Sequence, residues 1–347
     1  MPGKEDPEFM RRVVYSSLGR RSQRVRLGPG TGLDNGVVSV GRGRVLVLTV
    51  DPVSVIPAFG MKMSAWLSVH LIASDYTTSG NDPEYAMFTY NFPMEMSEAD
   101  REEYIRAIGR ECYQLGVAIA GGHTGSYPGS GLTVIGSGSM MGFAPENGYL
   151  APSMAREGDG VVMTKHAAIE ATCSLATAFP AFVESKVGPT YAKRARKQVM
   201  LCSTVADARA VRGVGIGAQG VSSMHDATEG GVLGALIEMS LASRKRFSVN
   251  LDEIPVAPES RAVCEAFGLD PLKTMGEGAL LITCLPERIP ALRRVLRRSG
   301  VQSAEIGFVE RGKGLVVSGP HGQRRASIPE GDAYWDAYSL AIRRNFR

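Results

Sequence analysis

Two mixed α/β domains are what this sequence predicts, and three observations lead there. The chain has 347 residues, more than the ~100–200 of one ordinary domain. Strand-like and helix-like runs interleave in both halves. A loop composition, Ala144-Pro145-Glu146-Asn147-Gly148, separates the halves, which sets the boundary near residue 150. The chain thus divides into a leader at 1–33, a first domain at 34–149 and a second at 150–347. Hydrophobic residues make up 44% and charged residues 21%, globular values that exclude wholesale disorder. No short period recurs, so solenoids and propellers are excluded.

The leader is Arg-rich from Arg11 to Arg26 and ends in Gly28-Pro29-Gly30-Thr31-Gly32. Its arginines read as a solvated arm or as a contact for phosphate or a partner. Residues 37–40 and 44–50 read as strands joined by a Gly-Arg-Gly turn. Residues 62–73 carry Met63, Trp66, Leu67, His70 and Leu71 at helical spacing. A strand follows at 86–92. Ser97-Glu98-Ala99-Asp100 marks a helix start with acids in the first turn, and Gly116 marks its stop. Residues 117–120 read as a short buried strand leading into a Gly121-Gly122-His123-Thr124-Gly125 loop, and 132–143 as the closing strand. In the second half a strand at 161–164 precedes a small-residue helix from Ala167, and 193–197 is a basic cluster on an exposed helix face. A strand at 221–224 delivers the chain to His225-Asp226-Ala227-Thr228-Glu229-Gly230-Gly231, ahead of an apolar helix at 232–242. Further strands are predicted at 278–285 and 303–309, with a helix at 287–298.

The charge balance, 39 Lys and Arg against 35 Asp and Glu, is too mild to call for nucleic acid or a membrane. No run approaches the ~18 apolar residues of a membrane span, and the first residues lack an apolar signal core. The five cysteines include no C-x-x-C, so neither a disulfide framework nor a cysteine zinc site is expected, and the expectation is a reducing cytoplasm.

Four aspartates sit where apolar runs give way to loops. Asp34 follows the glycine-rich segment, Asp51 the strand at 45–50, Asp75 the helix ending near Ala73, and Asp226 the strand at 221–224. Each alone reads as a turn or cap residue; brought together they would make a hard oxygen site suited to Mg²⁺. Gly121-Gly122 and Gly230-Gly231, the latter in a helix capped by Thr228, read as phosphate cradles or as close-packing devices. The residues leave both open. His123 and His225 adjoin these glycines and could orient a phosphate. His70 reads as a satisfied core group and His321 as incidental. Lys165 reads as a phosphate partner or a surface lysine at a turn. Walker A, G-x-G-x-x-G and G-x-S-x-G patterns are missing, which disfavours P-loop, Rossmann and acyl-enzyme sites.

In order along the chain, several segments resemble one family. Gly28-Pro29-Gly30-Thr31-Gly32-Leu33-Asp34 is similar to G-x-G-x-D-D-A-A, and Ala73-Ser74-Asp75-Tyr76-Thr77-Thr78-Ser79-Gly80 to the end of a V-N-D-[LI]-A-x-x-G helix. Gly121-Gly122-His123-Thr124 resembles G-G-[DEH]-T. Val162-Met163-Thr164-Lys165 with Ile169-Glu170-Ala171-Thr172 resembles L-T-K-x-x-G-x-E-G-T, and His225–Gly231 resembles H-D-P-T-[RE]-G-G. The superfamily is that of AIR synthase, selenophosphate synthetase, thiamine-monophosphate kinase and HypE, with the HypE-like branch nearest. The resemblance implies a two-domain PurM-like architecture and a homodimer whose N-terminal domains pair into a barrel-like core. It places ATP between domains and subunits. By position, Asp34, Asp51, Asp75 and Asp226 would hold Mg²⁺ and orient the triphosphate. Gly121, Gly122, His123 and Thr124 would approach the phosphates, as would His225, Thr228, Gly230 and Gly231, with Lys165 nearby. Asp75, Asp226 and Lys165 would serve phosphoryl transfer to a small substrate or hydrogenase-maturation intermediate.

The chain departs from the pattern at Leu33, where the family often has an acid, at Asn35-Gly36 and at Gly125. HypE proper ends in a reactive cysteine, whereas the last cysteine here is Cys284, so that chemistry is not expected in its usual form. The alternatives are a nucleotide-binding partner without turnover and a thiamine-monophosphate kinase-like activity.

Overall fold

Apolar residues at every second position dictate the first sheet. Along β3 (Arg44–Ser54), Val45, Val47, Thr49 and Val53 are buried on one face while the residues of the other parity, such as Val50 and Pro52, face outward. The computed structural model describes residues 5, 7–217, 220–320, 322–327 and 331–346; His321 lies outside them. After a short turn, α1 (Pro7–Phe9), comes β1 (Val25–Leu27), which pairs with β2 (Gly36–Gly41). Then follow β3, α2 (Gly60–Thr77), β4 (Tyr85–Pro93), α3 (Glu98–Leu115), β5 (Ala118–Tyr127) and β6 (Val134–Pro145). The six strands lie in the order β1-β2-β3-β6-β4-β5. Both helices pack on one face, where Ile72, Tyr76, Phe88, Tyr104 and Ile108 form the core. The other face carries exposed Val50, Tyr85, Met87, Ile119 and Val134.

The second half contains β7 (Gly160–Thr164), α4 (Ile169–Ala178), α5 (Pro180–Lys197, broken at Gly188-Pro189), α6 (Val205–Val211), β8 (Val221–Asp226) and α7 (Gly231–Ser243). These are followed by β9 (Arg246–Asn250), α8 (Pro258–Phe267), β10 (Leu280–Cys284), α9 (Ile289–Arg298), β11 (Ser303–Glu310), β12 (Gly314–Gly319), β13 (Gly322–Arg325) and α10 (Ala333–Arg343). The strands are ordered β13-β12-β9-β11-β7-β10-β8, antiparallel except for the β9–β12 pair. Helices clothe this sheet on both faces, with Val232, Leu236 and Phe247 in one core and Ile282, Leu292 and Leu296 in another. Mixed α/β sheets in two halves agree with the expected architecture. No helix among the described residues is long and apolar enough to cross a membrane.

Three local expectations need correction. Asp75 lies inside α2, not after it. The helix continues to Thr77 because Asn35 Nδ2 donates to the Asp75 carbonyl and to Thr78 Oγ1, tying down its last turn. Asp51 lies within β3, because that strand pairs with β6 along its whole length. Its β2 partner stops opposite Leu48, which leaves Pro52 at an open edge where it is tolerated. Gly121–Thr124 is not a loop but part of β5, the exposed edge strand, parallel to β4.

The second half docks on the first through α6 and the turns that flank it. Arg209 Nε and Arg212 Nη1 reach the Asp82 carboxylate at 2.8 and 2.7 Å. Burial would raise that carboxyl, but the two guanidiniums outweigh it and hold it below its usual range. Ser74 Oγ accepts from the Thr204 N–H at 2.9 Å, and His70 Nδ1 lies 2.9 Å from Ser203 Oγ. His70 is therefore satisfied, as expected; burial and then Arg209 press its pKa down to about 4.

The start and stop of α3 fall where the sequence signals place them. Ser97 Oγ accepts from the Asp100 N–H, and Gly116 closes the helix in the left-handed region at φ 80°. Replacing Ser97 with Ala should cost about 1 kcal/mol of stability, read as a lower urea midpoint at unchanged slope; an unaltered midpoint would show that the cap contributes nothing.

Candidate functional site

At the joint between the halves, the end of β8 meets the loop before β2. His225 is fully enclosed, with Nδ1 2.8 Å from Asp34 Oδ1 and Nε2 3.0 Å from Glu238 Oε2 of α7. Burial alone would lower the imidazole pKa, but the two carboxylates outweigh it and hold it at about 10. At neutral pH His225 is a buried cation shared by two anions.

Asp226 is the last residue of β8 and is also buried. Asp51 is on the helix-facing side of β3, by parity with Val47 and Thr49. Asp75 comes from α2. These groups converge: burial first, then the charges of Asp226, Asp51, Asp34 and Glu277, push the Asp75 carboxyl well above its usual range. The Asp34 side chain is 7% exposed, and its Oδ2 is buried with no hydrogen-bond partner. The carboxylates of Asp34 and Asp226 lie close together here, with His225 beside them. A crowd of hard carboxylate oxygens, one of them desolvated and unpartnered, fits a divalent cation of the Mg²⁺ class.

A second acidic group adjoins the first. Burial, followed by the charges of Glu229, Asp332 and Asp51, pushes Glu170 of α4 up to about 8. Glu229 accepts from Trp335 Nε1 at 3.3 Å, and Asp332 from Thr274 Oγ1 at 3.1 Å.

The predicted phosphate cradles look different once placed. Thr228 does not cap α7; Gly230 stands at the cap in the left-handed region. The Gly230 N–H donates to Asp332 Oδ2 at 2.9 Å, and the Gly231 N–H to the Thr228 carbonyl at 3.1 Å. Both amides are thus used within the chain, the anion slot at this helix start being filled by the chain's own carboxylate. A Cβ at Gly231 would lie 2.7 Å from the Thr274 carbonyl oxygen, so close packing requires the glycine. Gly122 is similar: its Cβ would lie 2.1 Å from the Phe88 carbonyl oxygen. His123 Nε2 pairs with Tyr127 Oη at 2.6 Å on exposed β5. Three strand spacings, about 14 Å, separate β5 from β3, so within one chain Gly121–Thr124 do not join the carboxylates.

Lys165 is neither a surface lysine nor an open phosphate partner. Its ammonium donates to the Ser203 and Gly278 carbonyls, both at 2.7 Å, and lies 2.9 Å from Asp207 Oδ2. Those three acceptors use its three donors. Sequence reasoning missed Glu277, Glu238, Asp332 and Asp207 as members of the site and its supports. Glu277 had a usable signal, an acid between glycines ahead of an apolar strand. The others reach the site only through tertiary contacts.

The pH response of Glu170 has a definite sign. Its folded pKa, about 8, exceeds the ordinary 4.5, so its stabilising contribution is complete below 4.5 and is lost as pH rises through 8. Glu170→Gln should therefore melt at a temperature that gains on the parent's as pH goes from 5 to 9; a constant gap would place Glu170 in an ordinary environment.

Comparison with known proteins gives a consistent family. The model described as AIR synthase related protein, N-terminal domain, matches residues 32–144, and its C-terminal counterpart matches residues 156–319. A carbamoyl dehydratase HypE from Rhizobium leguminosarum bv. viciae is 28% identical over 295 residues, covering 80% of this chain and 77% of the relative. A chain in a solved HypE–HypF complex superposes with a TM-score of 0.73 at 18% identity, over 92% of this chain and 99% of that one. A HypE solved in complex with ATP gives 0.65 at 20% identity, over 93% and 92%; these two likenesses concern the fold.

Proposed function

The chain belongs to the AIR synthase related proteins, and from that premise we propose that it binds ATP with Mg²⁺ and transfers a phosphoryl group, in the manner of the HypE branch. The acceptor is a small molecule or a maturation intermediate. One observation carries the reading: Asp34, Asp51, Asp226 and Glu277 all press on Asp75 at the joint between the halves. Crowded carboxylates are relieved by shared protons or by a cation, and the buried, unpartnered Asp34 Oδ2 among them favours a cation.

Asp34, Asp51, Asp75 and Asp226 would hold the ion, which when bound neutralises triphosphate charge during in-line transfer. The chain's own residues do the rest. His225, gripped by Glu238, holds one oxygen of Asp34 and leaves Oδ2 for the site. Lys165, tied to Asp207, clamps the turn at Ser203 to the loop at Gly278, next to Glu277. Catalysis of this type is positioning plus charge neutralisation. The apolar outer face of the first sheet, with Val50, Met87, Ile119 and Val134 exposed, supports pairing of two chains. In such a pair the partner's β5 would bring its Gly-Gly-His-Thr segment toward this chain's carboxylates.

A second reading, nucleotide binding without turnover, is favoured by Leu33 where an acid is usual and by a Lys165 already committed to Asp207. Calorimetric titration with ATP, with and without Mg²⁺, followed by an ADP assay on the same sample, separates the two. Mg²⁺-dependent binding with ADP release supports transfer, and binding without release supports the second reading. Asp75→Asn should abolish the Mg²⁺-dependent part of binding without lowering the melting temperature, since it removes a carboxyl whose ionised form its neighbours oppose; unchanged affinity would remove Asp75 from the site.

A further inference from the structure

The last helix before β11 is built unlike a merely soluble surface. On α9, Ile289, Leu292 and Leu296 are buried in the second-half core. Arg293, Arg294, Arg297 and Arg298 are all exposed. At 100° per residue these four cover an arc of about 140° along a helix about 15 Å long. Among the described residues none of the four has an ion-pair partner, a condition they share with other exposed arginines such as Arg42 and Arg110 but here gathered on one helix face. The only hydrogen bond among them is a long one, Arg293 Nη2 to the Ser303 carbonyl at 3.3 Å.

A solvated face normally mixes signs, because like charges at i,i+4 destabilise a helix. Arg293 with Arg297, and Arg294 with Arg298, are two such pairs with no acid to relieve them. Only arginine is used here and no lysine, and arginine is the cation enriched at protein interfaces, where its planar fork grips carboxylates. The buried leucines hold this face rigid, which lowers the entropy cost of an encounter.

From these observations we infer that the arginine face of α9 docks a protein partner through an acidic patch. Charge complementarity sets the sign of the partner, and the helix sets its class. Residues 286–302 contain no aromatic side chain, so there is no platform on which bases of a single strand could stack. The apolar side of α9 is committed to the core, so none is left to enter a membrane interface. The inference does not depend on the nucleotide reading; α9 contributes no residue to the carboxylate cluster.

The test uses the full chain and three probes: a fluorescent oligo-glutamate peptide, an RNA oligonucleotide of matched charge, and phosphatidylcholine vesicles containing phosphatidylserine. Anisotropy at low salt should show peptide binding that weakens as salt is added. Replacing Arg293, Arg294, Arg297 and Arg298 with Ala should weaken it about tenfold or more. Replacing Lys193, Arg194 and Lys197, the basic cluster on α5, should leave it unchanged. Circular dichroism of each variant checks that α9 remains folded. Equal peptide affinity in the parent and the α9 variant would overturn the proposal. So would RNA or vesicles binding through these four arginines more tightly than the peptide.

Discussion

The contact on which the site depends is the bridge Asp34–His225–Glu238. It joins a loop of the first half to a strand and a helix of the second, with both ring nitrogens within 3.0 Å of a carboxylate oxygen. Without it the joint would gather anions only. At an effective dielectric near 20, two like charges 4 Å apart repel by about 4 kcal/mol, and several acids meet here. A buried imidazolium offsets part of that repulsion and fixes the Asp34 side chain. Gly32, just upstream, has room for no Cβ, because Glu238 would lie 2.7 Å away. The glycine-rich loop is therefore shaped by the need to bring Asp34 down onto His225.

The same joint is held from a second side by different chemistry. Asp82 takes the guanidiniums of Arg209 on α6 and of Arg212 just after it, and Lys165 takes Asp207 and two carbonyls. Between them lies an apolar seam in which Leu67 of α2 packs with Ile169, Cys173, Val199 and Cys202. Polar contacts set the register of the two halves, and the seam supplies the area removed from water. The carboxylate cluster lies where both converge, so its geometry is a property of the domain arrangement rather than of any one loop.

What could be read from the sequence was local. Ser97 and Gly116 delimit α3 because a cap and a left-handed stop are properties of single residues. Asp226 at the end of β8 was legible because a strand followed by a helix must turn there. Convergence of the four aspartates was not legible, since Asp51 sits mid-strand and Asp75 mid-helix, positions chosen by pairing with β6 and by Asn35. Glycine pairs misled for a physical reason: a residue that lets a ligand approach the backbone also lets another strand or loop approach. Gly122 and Gly231 serve the second purpose within this chain. Of α5 only the basic stretch at 193–197 reads as helical, because the helix is interrupted at Gly188-Pro189, and α8 and α10 are not predicted. Asp332 stands far from Gly230 in sequence, where no periodicity reaches, and Glu238 meets His225 only through the way α7 folds back along β8.

The carboxylate of Asp332 at the start of α7 has a consequence for how the chain reaches its native state. It closes a loop of 102 positions back to Gly230, an entropic cost on the order of 4 kcal/mol. Synthesis delivers α7 long before Asp332. Until α10 docks against Phe179, Val183 and Val263, the helix start at Gly230 keeps an open amide and an uncompensated dipole. The counter-charge at the start of α7 is thus supplied from within the chain, by a segment 102 positions further on.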